Sequence, residues 1–193
     1  MSNSILSEEQ EDEKINLNIL ILGDSSVGKE ELISKYVDDG IPRDNFTIGR
    51  EVKYKKININ GIDLNLTLWD TAGQERFSKI STSCLEGADG FIYIWYTDKS
   101  TYEKCINWIL QVEESKENFK KILVGNNCDL ENERKVFKER VQSFCERQKL
   151  QEIEISTKNG TNINECFELL VKLIIEGKTK EELIEKYCCK NKK

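Results

Sequence analysis

The sequence predicts a three-layer α/β domain, with helices on both faces of a six-stranded sheet that is mostly parallel and has one antiparallel strand. Short apolar runs alternate with amphipathic segments, the pattern of strands joined by crossover helices. One pair of runs flanks Asn60-Gly61, a dipeptide that favours a tight hairpin and so an antiparallel neighbour. In sheets of this class, ligands bind in the loops beyond the carboxyl ends of the strands.

The elements follow in chain order. Strands are expected at residues 15–22, 50–60, 62–69, 89–96, 121–126 and 153–156. Of about five helices in all, three are expected at residues 29–37, 100–114 and 133–147. The clearest helix begins after Asn162, the expected N-cap. Its apolar face comprises Ile163, Phe167, Leu170, Val171 and Ile174.

Composition limits the classes of function. The chain has 193 residues, 33% of them charged, and a net charge of −6, which argues against a nucleic-acid-binding surface. No apolar run approaches the roughly 20 residues of a membrane helix, and residues 1–14 carry five acids rather than a secretion signal. We therefore expect a cytosolic protein with a disordered acidic tail at 1–14, a domain at 15–176 and a C-terminal tail at 177–193.

Seven cysteines raise the question of a disulfide or zinc site. Five are widely spaced, with no CxxC pair and no histidine in the chain, so buried reduced thiols are expected. These five are Cys84, Cys105, Cys128, Cys145 and Cys166. The adjacent pair Cys188-Cys189 near the end is a separate case.

The segment GDSSVGK matches GxxxxGK, follows a predicted strand and opens a predicted helix. Backbone N–H groups and a helix N-terminus form an anion-binding nest there, and the lysine adds a cation. Taken alone, the segment would also suit an ordinary strand-to-helix turn. The residues expected to surround phosphate are Gly23, Asp24, Ser25, Ser26, Val27, Gly28 and Lys29.

WDTAGQERF follows the third predicted strand directly. Asp70 closes that strand, where a magnesium carboxylate would lie. Gly73 could donate its N–H to a terminal phosphate, and Gln74 could orient a water molecule.

With GDSSVGK, FTIG, NNCD and STK in the same order, this string resembles the Ras superfamily of small GTPases, and the Rab family most closely. The resemblance spans residues 15–176 and implies a P-loop NTPase G domain that binds GTP or GDP with Mg²⁺. Thr47 of FTIG matches the threonine that caps the metal and the γ-phosphate. Asn126 and Asp129 match the base-reading pair, and Ser156-Thr157-Lys158 matches the loop that supports the base carbonyl.

Guanine follows from the chemistry of Asp129, because a carboxylate accepts both adjacent donors, N1–H and N2–H₂, whereas adenine presents an acceptor there. Hydrolysis by Gln74 and Lys29 would be slow without a partner that supplies further positive charge. The resemblance implies an exchange factor, a GTPase-activating protein and effectors that meet the switch regions around Thr47 and Gln74. It also implies a membrane-trafficking role.

The sequence departs from the family pattern at several positions. Glu30 stands where a Ser or Thr hydroxyl ligates magnesium, and Glu31 adds a second acid. The Glu30 carboxylate could bind Mg²⁺ itself or lie in solvent and leave the site one ligand short; we favour the second, because Mg²⁺ demands near-ideal geometry. Asn127 replaces a Lys that lies along the base and braces the phosphate loop. Arg50-Glu51-Val52 and Tyr96 indicate a divergent effector surface.

The chain ends in Cys188-Cys189 followed by KNKK. Rab chains end with two cysteines that take geranylgeranyl groups, and two such groups give a stable membrane anchor. Four trailing residues exceed the usual endings, so two unmodified thiols remain the alternative. The function alternatives are a Rab-like switch on the cytosolic face of an intracellular membrane, a pseudo-GTPase, and a GDP-biased module with an impaired magnesium site.

Overall fold

The computed structural model describes residues 14–37, 52–71, 85–96, 98–115 and 119–188. Its strands are β1 (Ile15–Leu22), β2 (Val52–Ile59), β3 (Ile62–Asp70), β4 (Gly90–Trp95), β5 (Lys120–Gly125) and β6 (Gln151–Glu154). Its helices include α1 (Lys29–Val37), α2 (Lys99–Ser115), α3 (Lys138–Gln148), α4 (Ile163–Ile175) and α5 (Lys180–Cys188). Glu131–Glu133 form a 3₁₀ turn.

The six strands form one sheet in the order β2-β3-β1-β4-β5-β6. Every neighbouring pair is parallel except β2 and β3, which are antiparallel. The hairpin between them turns at Asn60 (φ 54°) and Gly61 (φ 79°), the two left-handed residues of a type I′ turn. The predicted fold class is therefore confirmed, including the single antiparallel strand.

Two apolar layers cover the sheet because successive side chains of a strand point to opposite faces. In β1, Ile15, Leu17, Ile19 and Ile21 join the layer that includes residues of α1, α4 and α5, while Leu20 and Leu22 belong to the layer with α2 and α3. Because β1, β3, β4 and β5 are parallel to one another, their carboxyl ends lie at one end of the domain.

Some predicted boundaries differ from the structure. The predicted helix at 133–147 begins only at Lys138, because the preceding residues form the 3₁₀ turn and Phe137 is extended. The sixth strand ends at Glu154, and Ser156 instead makes an isolated bridge with Thr161.

Helix α4 has the predicted apolar face, and all five of its predicted core residues are buried. Asn162 occupies the N-cap position as expected, but without a side-chain cap. Asn162 adopts a left-handed conformation (φ 56°), and its side chain makes no cap hydrogen bond. Its Nδ2 instead donates to the backbone oxygen of Glu154 at 2.8 Å, which ties the helix start to β6.

Helix α5 lies within residues 177–193, which the sequence predicts to be a C-terminal tail. Gly177 (φ 71°) follows α4, and the chain then folds back so that Leu183 and Tyr187 are buried in the core. A capping box begins the helix: Glu182 N–H donates to Thr179 Oγ1 at 3.3 Å, and Thr179 N–H donates to Glu182 Oε2 at 2.8 Å. The T-x-x-E spacing was the signal that could have predicted this helix.

The cysteines with described side chains agree with the expected buried thiols. Cys105, Cys145 and Cys166 are free and buried, and Cys128 is half-buried. Burial raises the pKa of Cys145 to about 12. Within the described residues, no group of three or more Cys, Asp or Glu side chains is arranged to hold a metal ion, and no helix is long and apolar enough to cross a bilayer. Cys84 lies outside the described residues.

Candidate nucleotide-binding site

The GDSSVGK loop connects β1 to α1 at the carboxyl end of the sheet. Two of its positions admit only glycine. A Cβ at Gly23 would overlap the carbonyl oxygen of Ile94, and one at Gly28 would lie 2.5 Å from Asn126 Nδ2. Gly28 also has φ +89°, which L side chains rarely adopt. The close approach of three chain segments therefore requires both glycines.

Lys29 is the first residue of α1 and is only 4% exposed. Its Nζ donates to the backbone oxygens of Gly23 (2.9 Å) and Asp24 (2.8 Å). These two bonds keep the ammonium over its own loop, where it can meet an anion bound by the backbone N–H groups. Ser25 and Ser26 are exposed at the loop tip, whereas Val27 is fully buried and anchors the loop in the core.

An ion pair ties the loop to α2. Lys104 Nζ lies 2.5 Å from Asp24 Oδ2, and this hydrogen bond from Lys104 holds the pKa of Asp24 below its ordinary value despite partial burial. Lys104 was not among the predicted site residues. Since it lies 80 positions away in sequence and in no motif, no sequence pattern could have indicated the contact.

We expect Lys104→Ala to destabilise the protein by about 0.2–1 kcal/mol at pH 7, because Lys104 is more than half exposed. Because the pKa of Asp24 is lower in the folded than in the unfolded protein, the ionised carboxylate stabilises the fold. This contribution is fully present above the unfolded pKa near 3.8 and is lost as the pH falls through the lower folded pKa. The difference between wild type and variant should therefore vanish in acid. Denaturant unfolding at pH 7 and at a series of pH values below 3.8 measures it, and a difference that does not shrink as the pH falls would contradict the assignment.

Asn126 lies at the centre of the site and is 2% exposed. Its Nδ2 donates to Val27 O (2.8 Å) and Thr157 Oγ1 (3.1 Å). Its Oδ1 accepts from Asn127 N–H (2.8 Å) and Thr157 N–H (3.1 Å). One buried amide thus joins three loops.

The Asp129 carboxylate is oriented by the following loop. Ser156 is fully buried, and its hydroxyl donates to Asp129 Oδ1 at 2.7 Å. Lys158 Nζ lies 3.9 Å from Asp129 Oδ2 and is largely exposed. The N–H of Thr157 donates to Asn126 Oδ1, and the Thr157 hydroxyl accepts from Asn126 Nδ2. The carboxylate is therefore held in a defined position while a second oxygen keeps acceptor capacity.

The described residues expected at the magnesium site are Asp70 and Glu30, and Glu31 follows Glu30 in the chain. Asp70 closes β3 next to Ile21 of β1 and is 5% exposed, and the adjacent Thr71 hydroxyl donates to Ile21 O at 2.8 Å. Glu30 and Glu31 lie in the first turn of α1 and are exposed. A carboxylate oxygen is a ligand that Mg²⁺ accepts, so the chemistry of Asp70 fits the metal. Thr47, Gly73 and Gln74 lie outside the described residues.

Comparisons with known proteins agree with this architecture. The Ras family model matches residues 18–176. The chain is 41% identical to Ras-related protein Rab-1D of Dictyostelium discoideum over 152 residues, which cover 77% of this chain and 74% of that protein. It is 36% identical to GTP-binding protein ypt2 of Schizosaccharomyces pombe (86% and 84% covered) and 38% identical to human Ras-related protein Rab-3A (82% and 73%). The chain therefore belongs to the Ras family of small GTPases and, within it, is a divergent Rab protein.

Proposed function

We propose that this protein is a Rab-like switch that binds GDP and GTP, hydrolyses GTP slowly and regulates vesicle traffic. The observation that carries the proposal is the junction at Asn126, where one buried amide joins the phosphate loop to the two loops of the base site. This arrangement brings Lys29 and the serine-oriented Asp129 to the same end of the sheet. Relatives that are 36% and 41% identical to this chain are named as Rab and GTP-binding proteins.

Each part of the nucleotide has a matching group. The N–H groups from Gly23 to Lys29 and the Lys29 ammonium suit the phosphates. The Asp129 carboxylate can accept hydrogen bonds from both the N1–H and the N2–H₂ of guanine. Adenine does not offer this pair of donors. The loop Ser156-Thr157-Lys158 supports the base carbonyl. Thr47 and Gly73 complete the phosphate side in this proposal, and Gln74 orients the attacking water.

Mg²⁺, when bound, neutralises negative charge on the phosphates. Asp70 and Thr47 would hold it. Glu30 is exposed in α1, and the structure gives no hydrogen bond or ion pair to it among the described residues. This exposure favours a site that is short of one protein ligand, and with it the alternative function of a GDP-biased module or pseudo-GTPase.

The affinities of nucleotide-stripped protein for GDP and GTP, with Mg²⁺ and with chelator, test the proposal. Binding of both nucleotides that Mg²⁺ strengthens severalfold supports the switch. Binding of GDP alone, or binding that Mg²⁺ does not affect, supports the GDP-biased module. Absence of guanine-nucleotide binding overturns both.

We expect Glu30→Ser to raise the affinity for Mg²⁺-GTP about tenfold. The substitution supplies the short neutral hydroxyl that an octahedral site accepts. It also removes a negative charge, and each phosphate charge a few ångströms away repels that charge by about 1 kcal/mol or more. Glu31→Ser is the matched control, since it removes an exposed acid from the same helical turn. Equal gains in the two variants would mean that only general electrostatics changed.

The proposal extends to the membrane through Cys188 and Cys189. Cys188 ends α5 and is half-buried, and Cys189 lies outside the described residues. Two geranylgeranyl groups would hold the protein at the cytosolic face of a membrane, where the exchange factor, the GTPase-activating protein and effectors meet the switch regions. Intact-mass measurement of protein isolated from its native cells tests this extension. Two unmodified thiols would remove it and leave nucleotide binding unaffected.

A further inference from the structure

Tyr96 follows β4 directly and is held through its backbone by the start of α2. Its N–H donates to the hydroxyl of Thr101 at 3.1 Å, and Thr101 is only 7% exposed. The Thr101 hydroxyl in turn lies 2.7 Å from Asp98 Oδ2, and the Asp98 carboxylate also accepts the N–H of Ser100. The half-buried ring of Tyr96 packs against the core. Its position is therefore set by groups outside the recognised nucleotide-binding motifs.

The Tyr96 hydroxyl meets the loop that carries Asp129. Asn127 Nδ2 donates to Tyr96 Oη at 3.3 Å. Asn127 is in the left-handed conformation (φ 68°), which asparagine adopts more readily than other residues with side chains. Its carbonyl oxygen accepts from Leu130 N–H at 2.9 Å and so closes the turn that contains Asp129. Two hydrogen bonds, Asn127 to Tyr96 and Leu130 to Asn127, thus connect the phenol to the turn that carries the carboxylate expected to read the base.

Tyr96 and Asn127 are two positions at which the sequence departs from the family pattern, and they contact each other. Asn127 is too short to brace the phosphate loop as the family lysine does, since it lacks the long stem and the charge. Its side chain instead bonds to a phenol that β4 and α2 hold in place. The two departures therefore form one structural unit rather than two independent losses.

We propose that Tyr96 is a positioning residue for guanine recognition, which acts through Asn127 to fix the turn that presents Asp129. The proposal rests on the proposed function, because it concerns the same nucleotide site. A purely structural role of the ring is the alternative, since aromatic side chains commonly fill space at the edge of a core. The alternative assigns no role to the hydroxyl.

Tyr96→Phe separates the two, because it keeps the ring and removes the hydroxyl. With the stripped full-length chain, we expect the affinity for GDP to fall three- to tenfold, the range of one hydrogen bond. The affinity for inosine diphosphate should fall less, since inosine lacks the 2-amino group and offers the Asp129 carboxylate one donor instead of two. The ratio of the two affinities should therefore decrease, a change that loss of general stability would not produce.

Two further variants complete the experiment. Tyr54→Phe removes a tyrosine hydroxyl from the exposed face of β2 and should leave both affinities unchanged. Asn127→Gly keeps the left-handed backbone accessible and removes the side chain. We expect it to lower the same ratio, and we expect the double variant with Tyr96→Phe to lower it no further than Asn127→Gly alone.

The outcomes distinguish the two proposals. A reduced GDP-to-inosine diphosphate ratio in Tyr96→Phe, with no further reduction in the double variant, supports the positioning role. Unchanged ratios in a wild type that binds GDP would overturn the positioning role alone. Additive effects of the two substitutions would also overturn it, because they would show that Tyr96 does not act through Asn127. A wild type that binds no guanine nucleotide overturns this inference together with the proposed function.

Discussion

Asn126→Ala is expected to lower the affinity for guanine nucleotide by about 100-fold or more, because each buried group that loses its partner costs about 1–3 kcal/mol. The substitution removes both donors of the amide and the oxygen that accepts from Asn127 and Thr157. The carbonyl oxygen of Val27 also loses this donor, so the phosphate loop is released from the base site. If two such groups lose their partners, the free energy of unfolding falls by about 2–6 kcal/mol. At roughly 2–4 °C per kcal/mol for a chain of this size, the melting temperature should fall by about 4–24 °C.

Isothermal titration with GDP and thermal unfolding measure the two effects. Asn16→Ala is the matched control, because it removes a less buried amide at the opposite end of β1 and should leave nucleotide affinity unchanged. Asn126→Asp keeps the acceptor oxygen but replaces the donors with a buried negative charge that faces the carbonyl oxygen of Val27, so a loss at least as large is expected. Full affinity in a folded Asn126→Ala protein would show that the three loops are held together by other contacts.

Leu183→Ala is expected to destabilise the protein by about 2–4 kcal/mol, the cost of truncating a leucine in a packed core. Leu183 is fully buried although it lies in the segment expected from sequence to be a tail. Because α5 packs against the sheet, the cavity would open in the main core rather than in a peripheral appendage. The melting temperature should fall by about 4–16 °C.

Denaturant unfolding of Leu183→Ala beside Leu110→Ala measures this effect. Leu110 lies on α2 and is 41% exposed, so its truncation should cost well under half as much. A wild-type midpoint for Leu183→Ala would mean that α5 detaches in solution. In that case Cys188 would lie on a free tail, and the domain would end near Ile175.

Asn126 and Leu183 differ in how far the sequence alone predicts their structural roles. The residues around Asn126 were identified from short motifs, because binding phosphate and guanine demands particular residue types at close spacing. The contacts by which Asn126 joins the loops were not predicted, since its partners Val27 and Thr157 lie far away in sequence. The capping box Thr179-x-x-Glu182 was readable, but the burial of Leu183 was not, because helix spacing does not specify which surface a short helix will cover.

The sequence by itself determined the fold class, the order of the strands and of the described helices before α5, and the segments that match phosphate and guanine motifs. Periodicity, turn residues and local spacing are properties of neighbouring positions. The tertiary structure decided which distant side chains meet. It paired Asp24 with Lys104 and Asn127 with Tyr96, placed Asn126 between three loops, and returned α5 to the core. Those contacts depend on the packing of helices against a twisted sheet, and no local pattern in the chain encodes them.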